Sequence, residues 1–281
     1  MVHRMEVPMK YTLAAFADEA SSDLSGQIQA MLDNHISFLE IRGVDGENIA
    51  DLSVEKAKEV RQKLSESGLS VWSLGSPYGK IDITEDFNVH LDRFCHGLEL
   101  AGILGATHIR LFSFYCPSGK QELYSEEVMK RLECFISAAK GTGLILCHEN
   151  EKGIYGDNAL RCEEIHRNFP ELKAVFDPAN FVQCGEDTIA AWKLLSPYVE
   201  YMHIKDALSD GTVVPAGKGN GNLPYLLSQY SGSVLTIEPH LSVFDGFSSL
   251  ESGNSSKNDS FCYPNSRAAF DAAVSALRTL L

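Results

Sequence analysis

A chain of 281 residues, 44% hydrophobic and 22% charged, is long enough for one large packed domain and ordinary in composition for a globular one. Its 24 Lys and Arg against 38 Asp and Glu leave a net charge of −14, which repels phosphate backbones, and no basic block offsets it, so nucleic acid is excluded as a partner. No apolar run reaches membrane length, the N-terminal apolar stretch is too short for a signal peptide, and seven cysteines without a CxxC pair read as reduced thiols; a soluble cytoplasmic protein is expected.

Eight short runs of strand character follow one another: YTLAAFA from Tyr11, FLEIRGV from Phe38, LSVWSLG from Leu69, HIRLFSF from His108, LILCHEN from Leu144, LKAVFDP from Leu172, VEYMHIK from Val199 and SVLTIEP from Ser233. Helical periodicity occupies residues 24–35, 54–68, 87–106, 125–143, 159–170, 187–198, 223–230 and 266–281. Eight strand–helix alternations without a linker predict an α/β fold, a single (β/α)8 TIM barrel over residues 1–281. The rival doubly wound sheet would want a GxGxxG after the first run, and there is none. The Ser- and Asn-rich stretch 246–265 is expected to be a long loop after the eighth strand. With Phe244, Phe247, Phe261 and Tyr263 around it, that loop reads as an ordered lid or interface rather than a mobile insertion.

The second half of the chain ends four successive runs on a polar residue: Glu149, Asp177, His203 and Glu238, spaced 28, 26 and 35 residues apart. In a barrel these tips ring one mouth, and three carboxylates with one imidazole suit one divalent ion (Mn²⁺ first, with Mg²⁺, Co²⁺ or Zn²⁺ as alternatives), leaving coordination positions for substrate oxygens. An acid at a strand end can instead cap the next helix, but four at consecutive tips point to a site.

Side chains alternate along a strand, so Glu151 shares the face of Glu149, and Lys205 shares that of His203, placing Lys205 at the mouth as a catalytic cation. His148 has the opposite parity and is expected to be hydrogen-bonded rather than a ligand. Cys147 is expected in the core. Candidate substrate contacts are Arg42, Tyr78, Phe114, Asn180 and Lys218, with Glu19 and Ser76 beside them. Arg42 could clasp a carboxylate or hydroxyls, or pair with Glu40 or Asp45. Tyr78 and Phe114 could wall a sugar face, or simply pack. Lys218 sits in GKGNG, expected to be a flexible rim loop and only weakly suggestive of phosphate.

The motifs HEN, VFDPANF, HIKDA, GKGNG and IEPH together resemble the xylose isomerase-like TIM-barrel superfamily, in the branch of sugar phosphate isomerases and epimerases, over essentially the whole chain. The resemblance to ketose 3-epimerases implies that Glu149, Asp177, His203 and Glu238 hold one metal and that Glu149 and Glu238 also act as the acid/base pair on opposite faces of a small sugar or keto-sugar. It implies proton transfer beside a carbonyl through an enediolate, in an enzyme that forms a dimer or tetramer. The same intermediate allows an alternative, a metal-dependent lyase or dehydratase on a keto-cyclitol or 3-keto sugar. The chain departs from the epimerases at Asn180, where they carry His, and at Ser209 and Asp210, where they carry Arg; Lys205 and Lys218 are the nearest replacements. Endonuclease IV fits poorly, since its extra histidines are missing. A second metal, as in xylose isomerase, would fall to Asp206 and Asp210, whose spacing matches badly; one metal is expected.

Overall fold

The computed structural model describes residues 10–242 and 261–281, so the expectations for Phe244, Phe247 and most of the 246–265 loop lie outside the described residues. All eight strands form where the apolar runs placed them. They are β1 (Thr12–Ala15), β2 (Phe38–Ile41), β3 (Ser70–Gly75), β4 (His108–Leu111), β5 (Ile145–Glu149), β6 (Lys173–Phe176), β7 (Val199–Ile204) and β8 (Val234–Ile237). They close into a barrel in the order β1-β8-β7-β6-β5-β4-β3-β2, every neighbouring pair parallel. Parallel strands covered on both faces explain why the runs are nearly continuous in apolar residues.

Among the described residues the outer layer consists of α1 (Leu24–Asp33), α2 (Val54–Glu66), α3 (Phe87–Leu104), α4 (Ser125–Ala139), α5 (Ala159–Asn168), α6 (Pro178–Gln183), α7 (Thr188–Leu195), α8 (Leu223–Gln229) and α9 (Ser266–Leu280). Side-chain N-caps start most of them: Asp23, Ser53, Asp86, Asn158, Asp187 and Asn265 each accept a first-turn N–H. The helix α6 was hidden inside the run LKAVFDP and its continuation. Asp177 caps it and Pro178 opens it, the arrangement in which a proline's missing N–H costs nothing.

The barrel floor is closed by Trp72, His108 and Tyr201, with Trp72 stacked on His108 at 4.0 Å and edge-on to Tyr201 at 6.1 Å. Cys147 packs into this floor with Ala14, Val175 and Val234, as its apolar character required. Above the floor the interior turns polar.

Outside the barrel wall, His148 bonds Ser113 Oγ at 2.9 Å and His166 donates to the Leu172 carbonyl at 2.9 Å, their rings 5.7 Å apart. Burial pushes both histidines down, to about 3 and about 4, so both are neutral in the fold. Unfolded histidine titrates near ~6.5. Below that pH the unfolded chain takes protons that the folded one refuses, and stability falls by up to about 1.4 kcal/mol per pH unit for each histidine. Denaturation midpoints should therefore drop steadily from pH 6.5 toward 4, and a His148→Gln, His166→Gln double variant should flatten that slope.

Candidate metal centre

Glu149, Asp177, His203 and Glu238 are all buried, and each offers one donor atom, all within 4.8 Å of one another. The strands explain the meeting: β5 to β8 are consecutive in the wall, and period-two alternation turns each tip inward above Cys147, Val175, Tyr201 and Val234. A divalent ion with bonds of about 2.1 Å spaces its donors roughly 3–4.2 Å apart, so the set is close to closed around one ion.

The individual donors fit that use. His203 Nε2 lies 3.1 Å from Glu40 Oε2, while Nδ1 faces Glu149 Oε1 at 3.1 Å and Glu238 Oε2 at 3.5 Å. A carboxylate on the far nitrogen fixes the ring and leaves the near one for a metal. Tyr201 Oη donates to Glu40 at 2.7 Å and steadies it in turn. Asp177 serves both readings of a strand-end acid: Oδ1 accepts Asn180 N–H at 2.9 Å as the helix cap, while buried Oδ2 accepts no hydrogen bond. Lys205 Nζ does lie 3.0 Å from that Oδ2, an electrostatic contact rather than an aligned bond.

The crowding has an electrostatic signature. Burial, then Glu238 and Glu149, push Asp177 up to about 7 against the pull of Lys205. Burial also opposes ionisation of Glu149, but His203 and Arg110 overcome it and hold that acid at about 2. Three carboxylates this close do not all ionise comfortably without added positive charge, which is what a divalent ion supplies.

Glu149 and Glu238 are each backed by a separate arginine. Arg110 Nη1 donates to Glu149 Oε2 at 2.9 Å, and Arg42 Nη1 donates to Glu238 Oε1 at 3.3 Å. The guanidiniums lie 4.5 Å (Arg42) and 5.3 Å (Arg110) from the centre of one ring, Phe16, which also meets His203 edge-on at 5.2 Å. Gly75 makes room for that ring, since a Cβ there would run into it. Arg110, Phe16 and Glu40 were not among the expected site residues. The signal for Arg110 was an uncompensated charge in HIRLFSF, at the parity that faces the interior.

Other candidates are placed differently. Arg42 pairs with neither Glu40 nor Asp45: it donates to Asp18 at 2.8 Å and Glu19 at 3.1 Å besides Glu238, acids that lie far off in sequence. Glu19 is thereby part of this network, and also accepts His240 N–H at 2.6 Å. Tyr78 and Phe114 are corrections. Both are buried in the outer layer, Tyr78 against Phe94 and Phe114 against Phe135 and Phe87, so neither walls the mouth. Both take the packing alternative, and Phe114 has a φ of 66° that redirects its side chain. Ser76 is engaged by backbone, donating to the Arg110 carbonyl and accepting Tyr78 N–H.

Asn180 stands at the site: its amide donates to Glu149 Oε1 at 3.2 Å and to the Asn150 carbonyl at 2.9 Å. Lys205 Nζ donates to Glu238 Oε2 at 2.9 Å. On the mouth side Glu151 pairs with Lys80 at 2.8 Å, an additional cation from the loop after β3.

Lys218 is exposed, on a loop better fastened than expected. The N–H groups of Gly217, Gly219 and Gly221 converge on the Asp206 carboxylate at 2.9, 2.9 and 2.8 Å, and a Cβ at Gly219 would collide with it. Asp206 is consumed by this cradle and Asp210 is exposed, so no second metal pair forms from them. Among the described residues Glu19, Glu238 and His240 also converge, and Arg42 pairs with both acids there. No helix among the described residues is long and apolar enough to cross a membrane.

The model of the xylose isomerase-like TIM-barrel family matches residues 33–239. No curated protein sequence matches the chain. Solved structures share the fold. The probable 3-DHS dehydratase of Bacillus anthracis superposes with a TM-score of 0.68 at 17% identity, over 96% of this chain and 99% of its own. The IOLI protein with a zinc atom gives 0.72 at 12%, over 96% and 97%. The 3-keto-D-glucoside 4-epimerase of E. coli gives 0.66 at 15%, over 96% and 99%.

Proposed function

Because the chain belongs to the xylose isomerase-like TIM-barrel family, we propose that it is a divalent-metal-dependent isomerase or epimerase that moves a proton next to the carbonyl of a small sugar or keto-sugar. The observation that carries this reading is the pair Glu149 and Glu238, at the two ends of the four-strand arc, each facing His203 and each held by a separate arginine. Glu149, Asp177, His203 and Glu238 would hold the ion, with manganese first among the candidates. Bound there, it supplies positive charge to a substrate carbonyl and to the oxyanion that develops on it.

The chain's own groups do the rest. One glutamate takes the proton on the α-carbon and either it or its partner returns one. Return to the opposite face epimerises, while return to the neighbouring carbon interconverts aldose and ketose. Arg110 and Arg42 keep each acid in place, His203 and Arg110 hold Glu149 ionised, Lys205 and His240 do the same for Glu238, and Asn180 fixes the orientation of Glu149. The Lys205 ammonium, beside Glu238, also supports a second reading: a dehydratase in which it protonates a departing hydroxyl, in keeping with a dehydratase among the structural neighbours.

Purified protein should carry close to one equivalent of Mn, Mg, Co or Zn by elemental analysis. Incubated with candidate ketoses in D₂O, it should place deuterium at the α-carbon without changing composition. Loss of water would shift the reading to the dehydratase. No bound metal together with no exchange would remove the reading altogether.

A further inference from the structure

Resting on the metal reading above, we infer that Lys205 is an exchangeable cation: it occupies the ligand oxygens of Asp177 and Glu238 until a divalent ion takes them, and is then delivered to the mouth as a substrate contact. The argument begins with which oxygens are left for an ion. Asp177 Oδ1 is engaged by Asn180 N–H, and Glu238 Oε1 faces Arg42 Nη1 at 3.3 Å. That leaves Asp177 Oδ2 and Glu238 Oε2, the latter also the oxygen turned toward His203. The Lys205 ammonium sits 3.0 Å from the first and 2.9 Å from the second.

A metal and an ammonium on the same two oxygens repel each other. An ion bonded at about 2.1 Å to both oxygens would bring two further positive charges close to the ammonium, in a buried, low-dielectric space where like charges repel strongly. The lysine stem is long and carries three rotatable donors, so it can yield without disturbing β7. A receiving group lies on the outward side: Glu151, two residues beyond Glu149 and paired with Lys80, already attracts Lys205 electrostatically. With the ion in place the ammonium therefore moves toward Glu151 and the mouth, where it can donate to a substrate hydroxyl. Without the ion it bridges two carboxylates, Asp177 and Glu238, that would otherwise repel.

The test is calorimetric titration of Mn²⁺ into the wild-type protein and Lys205→Met, which keeps the stem and removes the charge. Releasing two charge-assisted contacts should tighten Mn²⁺ binding by about 10–100-fold in the variant. Should Lys205→Met fail to fold, amine acetylation of the wild-type protein read by mass spectrometry decides alone. Lys205, 4% exposed, should resist the reagent in metal-free protein and become reactive in proportion to bound Mn²⁺. Equal or weaker Mn²⁺ binding by the variant, or a Lys205 that stays inert in loaded protein, overturns this inference and leaves the metal centre standing. Absence of Mn²⁺ binding in both proteins overturns the metal reading and this inference with it.

Discussion

Glu149→Gln and Glu238→Gln should each slow solvent deuterium exchange into substrate by about 10²–10⁴-fold, the range a positioned acid/base group contributes. The effect should sit in turnover rather than in substrate affinity, because glutamine keeps the shape and one acceptor oxygen but cannot carry a proton away. The two variants should differ in a further respect. Glu149 contacts Arg110, Asn180 and His203, and its loss leaves Arg110 buried beside a neutral amide. Glu238 shares its oxygens with Arg42 and Lys205, which retain Asp18, Glu19 and Asp177 as partners. Glu238→Gln should therefore be the better tolerated in stability while equally impaired in exchange. Exchange followed by NMR, beside denaturation midpoints for both variants, checks the pair; a variant that retains metal and exchanges at the wild-type rate removes its glutamate from the acid/base assignment.

The largest stability effect should come from a residue that need never touch substrate. Arg110→Met removes the guanidinium from a buried glutamate and leaves that charge without its closest partner, a change that costs about 3–5 kcal/mol in comparable buried pairs. Methionine fills much of the space, so the loss reports charge rather than cavity. A divalent ion on Glu149 would replace part of the missing positive charge. The destabilisation should accordingly be largest in chelator-treated protein and shrink when Mn²⁺ is added back. Chemical denaturation with and without Mn²⁺ measures both; equal losses in the two conditions would separate Arg110 from the metal centre.

The barrel was legible because its strands are buried on both faces, which makes them near-continuous apolar runs, and because helices between them keep a separate period. The four inward tips were legible for the same reason: parity and repeat length fix where a strand end points. What escaped came from long-range contacts. Nothing local ties Arg42 to Asp18 and Glu19 rather than to Glu40, and Glu40 went instead to His203, on the strand β7 across the barrel. Tyr78 and Phe114 could not be decided between mouth and core because they lie beyond their strands, where alternation gives no direction. The short helix α6 escaped because its capping aspartate was read as the end of a strand, although Asp followed by Pro is also how a helix opens.

Phe16 lends the site a property that none of its charged residues could provide. It packs against both guanidiniums and the imidazole, a slab of hydrocarbon among ions. It therefore acts as a common rest: Arg42, which reaches Glu238, and Arg110, which reaches Glu149, both lean on one side chain. Hydrocarbon does not screen charge, so the two acids still sense each other across the cage. The seating of both arginines thus depends on position 16, and on the bare backbone of Gly75 behind it, residues with no charge at all.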